Sequence, residues 1–66
     1  MKAIIEARIS SGLTQKELSL RSGIAQGDIS KIENGNANPS IKTLQRLASA
    51  MGKELRIEFV DDKIMN

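Results

Sequence analysis

Apolar residues along this chain fall into four short helical patterns followed by one alternating pattern. Met1, Ile4, Ile5 and Ile9 share a face with Arg8, which predicts a helix from about Lys2 to Ser11. Leu13 and Leu18 frame a second helix, Gln15 to Ser22, and Ile24, Ile29 and Ile32 frame a third, Gln26 to Asn34. Gly35 is placed to end the third helix, and Asn-Ala-Asn-Pro at 36–39 reads as a loop. Ser40 then caps a fourth helix, whose stripe of Ile41, Leu44, Leu47, Ala48 and Met51 is stopped by Gly52. After it the period becomes two: Leu55, Ile57 and Phe59 alternate with Arg56 and Glu58, the pattern of a strand.

The segment from Thr14 to Gly35 carries more than periodicity. Thr14 followed by Glu17 makes a capping box, with Leu13 and Leu18 spaced as a hydrophobic staple around it. Ile24 and Ile29 repeat the staple spacing, and Gly23 supplies a turn between the two helices. Ser19 is small where the third helix must cross the second closely. With Ile29 and Ile32 turned inward, Gln26, Gly27, Ser30 and Lys31 face out. A generic helical hairpin needs only the apolar spacing. The combination is the form of a helix-turn-helix, whose second helix can enter the major groove of DNA.

Arg8, GLTQKELS (12–19), SGIAQGDIS (22–30), KIENG (31–35), NPS (38–40) and TLQRLASAMG (43–52) together resemble the helix-turn-helix domain of phage Cro and repressor proteins, the XRE-type family. The resemblance covers residues 5–52. It implies an all-α fold, a compact lambda-repressor-like bundle of four or five helices that binds double-stranded DNA, usually as a homodimer. Residues 1–52 are then the DNA-binding domain, 53–60 a dimerisation strand and 61–66 a flexible tail. A lone strand leaves its backbone groups unpaired, so Leu55, Ile57 and Phe59 are expected to pair with the same strand of a second copy across a twofold axis.

The resemblance also implies roles for individual residues. Arg8 sits on an apolar face, where a cation is costly unless paired. The family pairs it with the residue that here is Glu33, a structural ion pair. Gln15 matches a glutamine that grips a phosphate and braces the recognition helix, and Thr14 is first a cap and second a phosphate contact. Gln26 is placed for a bidentate bond to adenine. Lys31, beside Ser30, reaches either a guanine or a phosphate. Asn34, Asn36 and Lys42 are candidate backbone contacts that read equally as ordinary surface residues. Two positions depart from the family pattern: Ala25 stands where Ser or Thr often caps the third helix, and Gly27 where a side chain often reads a base. Readout at 27 is therefore weaker or comes from close backbone approach. Asp28 can offset the missing cap from the first turn, or accept from a cytosine amino group. Leu20 looks exposed.

Composition narrows the picture. With 66 residues there is room for one core of marginal stability, and without cysteine no disulfide or thiolate metal site supports it. Oligomerisation is the remaining common support. The net charge is only +2, but residues 1–50 hold seven Lys/Arg against four Asp/Glu, and the remainder three against four. The cations thus concentrate in the helical part. No apolar run approaches a membrane span, and Glu6 and Arg8 interrupt any signal peptide, which points to the cytoplasm. With no His or Cys, no phosphate-cradling glycine loop and acids scattered singly except Asp61-Asp62, neither an enzyme, a metal site nor a cofactor is expected. The rival class is a protein-interaction module. LQRLASAMGKELRIEFV (44–60) looks like the end of HigA-type antitoxins, which implies a possible toxin partner. In such proteins an additional N-terminal segment often meets the toxin; this chain begins almost at the first helix, which favours DNA binding.

Overall fold

The computed structural model describes residues 1–61 and contains four helices: α1 (Lys2–Ser10), α2 (Gln15–Ser22), α3 (Gln26–Glu33) and α4 (Ile41–Ala50). Each boundary has a local cause. Thr14 caps α2 with a complete box: its hydroxyl oxygen accepts from the Glu17 amide at 3.0 Å, and Glu17 Oε1 accepts from the Thr14 amide at 3.0 Å. The Ser40 hydroxyl does the same for Thr43 at the start of α4. α1, α3 and α4 end alike, each followed by one cap residue and then a left-handed glycine: Ser11 and Gly12, Asn34 and Gly35, Met51 and Gly52. In α3 the Gly35 amide returns to the Ile32 carbonyl and the Asn36 amide to the Lys31 carbonyl, which satisfies carbonyls a helix end otherwise leaves free.

The core is Ile4, Leu13, Leu18, Ile24, Ile29, Ile32 and Leu47, with Ala48 also buried beside it. Both staple pairs lie within it, so the same residues that define the entrances of α2 and α3 also bind those helices together. α2 packs against both α3 and α4, while α1 packs against α3. The turn between α2 and α3 is tight. Gly23 adopts φ 73°, and a Cβ there would stand 2.9 Å from Arg46 Nη2, which itself donates to the Ser22 carbonyl at 2.9 Å. α4 is thereby tied to the end of α2.

Three expectations are corrected. Ile9 and Ile41 belong to the predicted apolar stripes yet are 63% and 58% exposed, because neighbours cover only the central part of each stripe. α1 and α3 stop one residue short of the predicted Ser11 and Asn34, which instead take the cap positions. The strand expected at 55–59 is absent among the described residues: 53–61 carry neither helix nor strand. Strand hydrogen bonds need a second strand, and the described residues offer none. Leu55 is half-buried along an open groove whose lining also includes Ile4, Leu47 and Met51, whereas Ile57, Phe59 and Val60 stand in solvent. Of the predicted tail, Asp61 is exposed and irregular, and 62–66 lie outside the described residues.

Candidate nucleic-acid interface

α3 is fixed from beneath by Ile29, fully buried, and Ile32, which leaves Gln26, Gly27 and Lys31 exposed and Ser30 half-buried on its outer side. Its start is uncapped by any side chain. Ala25 holds the cap position with φ −57° and ψ 139°, and its carbonyl accepts from the amides of Asp28 and Ile29. Asp28 is exposed in the first turn, where a carboxylate complements the helix dipole.

The other end of α3 is anchored through its last residue. Glu33, 6% exposed, accepts from Arg8 Nε at 2.7 Å, Arg8 Nη2 at 3.1 Å and Gln15 Nε2 at 3.0 Å. The third Arg8 nitrogen, Nη1, donates to the Leu13 carbonyl at 3.0 Å, which closes the end of α1. The Met1 amino group donates to the carbonyls of Ile32 and Glu33. Every buried side-chain polar atom among the described residues has a partner. Hydrogen bonds from Arg8 hold the Glu33 carboxyl below the usual glutamate range against the opposing effect of burial, with Gln15 and the nearby positive charges adding to the shift. The same bonds raise Arg8. The exposed Glu17 carboxyl is also lowered, by the backbone and side-chain bonds of Thr14.

These bonds constrain what the candidate contact residues can offer. The Thr14 oxygen spends one lone pair on the cap, and its O–H remains free to donate to a phosphate oxygen. Gln15 spends one amide hydrogen on Glu33 and keeps one, together with its oxygen, for a ligand. Asn34 and Asn36 have exposed side chains, and their backbone amides close α3. Lys42 is exposed in the first turn of α4. The arrangement is an open surface of uncharged hydrogen-bonding groups with Lys31 and Lys42 in reach of solvent, suited to a polyanion rather than to a small molecule. Gln15 was expected to brace the third helix, but Glu33 as its partner was not evident in the sequence, and neither was the tie of Arg46 to Ser22. Both links join residues distant in sequence, 18 and 24 apart, and neither has a spacing signal. No group of three or more acidic, His or Cys residues among those described could hold a metal, and no helix is long and apolar enough to cross a membrane.

A family profile described as Helix-turn-helix matches residues 4–57. An HTH-type transcriptional regulator of Haemophilus influenzae is 40% identical over 57 residues, covering 86% of this chain and 58% of its own length. The HTH-type transcriptional regulator y4dJ of Sinorhizobium fredii is 47% identical over 45 residues, 68% of this chain and 58% of that protein. A third, from Methanothermobacter thermautotrophicus, is 40% identical over 55 residues and matched over 80% of its length. The matched region thus spans little more than half the length of the first two relatives. No solved structure matches the chain.

Proposed function

The chain belongs to the XRE-type helix-turn-helix family, and on that premise we propose that it is a sequence-specific DNA-binding repressor that regulates its own operon and reads an inverted repeat as a dimer. The observation that carries the reading is the outer side of α3: Gln26, Gly27 and Lys31 are exposed and Ser30 is half-buried beside them, while Ile29 and Ile32 beneath anchor the helix in the core. Gln26 reads a base, and the free amide hydrogen of Gln15 with Thr14 grips a phosphate at the start of α2. Lys31, Lys42, Asn34 and Asn36 contact the backbone on either side. Two copies place their α3 helices about 34 Å apart, so half-sites are one helical turn apart.

Dimerisation runs through 53–60. Leu55 is half-buried, and Ile57 and Phe59 are exposed and free to meet a second copy. A second reading, an antitoxin acting mainly on a protein partner, is favoured by the same exposed Phe59 and Val60. The two separate in a reporter fusion carrying the DNA upstream of the chain's own coding sequence. Supplying the chain alone lowers expression and Gln26→Ala restores it if the repressor reading holds. Unchanged expression with the wild-type chain overturns it.

A further inference from the structure

Four of the five glycines, at 12, 23, 35 and 52, have positive φ and so a backbone reason to be glycine. Gly27 has none. It is the second residue of α3, has no positive φ, and a Cβ built on it meets nothing within 4 Å. The fold therefore accommodates alanine at 27 without strain, and alanine is the better helix former. Gly27 also lies on the outer side of α3, next to Gln26. A residue that weakens its own helix, fills no tight corner and faces outward has its steric reason outside the chain.

We propose that Gly27 determines specificity by the side chain it lacks: the first turn of α3 lies so close to base edges of the major groove that the space of a Cβ is taken by a thymine methyl, the group that protrudes furthest from a base edge there. This rests on α3 being the reading helix. The neighbouring Gln26 then reaches its base from a backbone held nearer the groove floor than a helix bearing a side chain at 27 allows.

The test uses the full chain, a duplex that it selects from a random library, and Gly27→Ala beside Gln26→Ala. Gly27→Ala should melt higher by about 2–5 °C and bind the selected duplex about tenfold or more weakly, with binding to a scrambled duplex unchanged. Replacing thymines of the half-site one at a time by uracil, which lacks the methyl, should restore most of that loss at one position. Gly27→Ala binding as the wild type does, losing affinity equally on scrambled DNA, melting lower, or gaining nothing from any uracil overturns the proposal. Failure of the underlying reading looks different: the library then yields no preferred duplex, or Gln26→Ala binds it as tightly as wild type.

Discussion

Gln15 Nε2 donates to Glu33 Oε1 at 3.0 Å, so the first side chain of α2 is tied to the last residue of α3. The carboxylate that receives it also takes two hydrogen bonds from Arg8. One buried acid thus joins α1, α2 and α3, and its neighbour in the network is the residue assigned to the phosphate. The geometry of the reading surface and the stability of the fold share this group.

Removing the cation should be severe. Arg8→Met leaves a carboxylate whose side chain is 4% exposed without its main partner, and loss of one member of a buried pair costs about 3–5 kcal/mol. That is a large share of the stability of a domain this size. Arg8→Lys should fall between, because an ammonium cannot reproduce the two-pronged bond. Urea unfolding of the three proteins checks this; a loss below about 1 kcal/mol for Arg8→Met contradicts the assigned role.

Acid should unfold the protein through the same group. Glu33 is held below its ordinary value of 4.5, so its contribution is complete above that value and is lost as pH falls through it toward the lower folded-state value. Glu33→Gln removes the titration. The stability difference between wild type and Glu33→Gln should therefore be largest near neutral pH and shrink as pH falls below the ordinary glutamate range. Parallel curves across that range, measured by urea unfolding at each pH, contradict it.

The uncapped start of α3 leaves room for improvement. Ala25 has an extended backbone suited to a cap, and Ala25→Ser supplies the missing acceptor, for a gain of about 0.5–1 kcal/mol. Thr14→Ala should lose about 1 kcal/mol by breaking the existing box. Thermal unfolding of both variants reads the two opposite signs.

Phe59 is fully exposed in the single chain, so Phe59→Asp has no contact to break there. The substitution should leave the helical signal and melting of a dilute monomer unchanged while abolishing the dimer in sedimentation equilibrium. An unaltered dimer places the interface elsewhere, and a lost fold shows that Phe59 packs on its own chain.

Features carried by near neighbours in sequence are legible in the sequence itself. Thr14 and Glu17 are three residues apart, as are the groups their bonds join, and Leu13–Leu18 and Ile24–Ile29 reach the core from fixed places around each cap. The Arg8–Glu33 pair was expected only through the family resemblance; the two residues are 25 apart, and no periodicity links them. That Gln15 braces the third helix is likewise implied only by the resemblance, and the packing of α2 on α3 supplies its partner, Glu33, 18 residues away. The alternation at 55–59 misled for a physical reason: a helix satisfies its bonds within itself, while a strand is a property of two segments, and one chain shows only half of it. Which residues read DNA is a further step outward, since the relevant contacts lie on a molecule other than the protein.

The measurement closest to the central claim is fluorescence anisotropy of wild type and Gln26→Ala titrated onto labelled DNA from upstream of the chain's own coding sequence, beside a scrambled duplex, at two salt concentrations. The repressor account predicts tighter wild-type binding to the upstream DNA, weakening on both duplexes as salt rises, and loss of about 1–3 kcal/mol of preference in Gln26→Ala. Equal wild-type affinity for the two duplexes, with no change on removing Gln26, would contradict it.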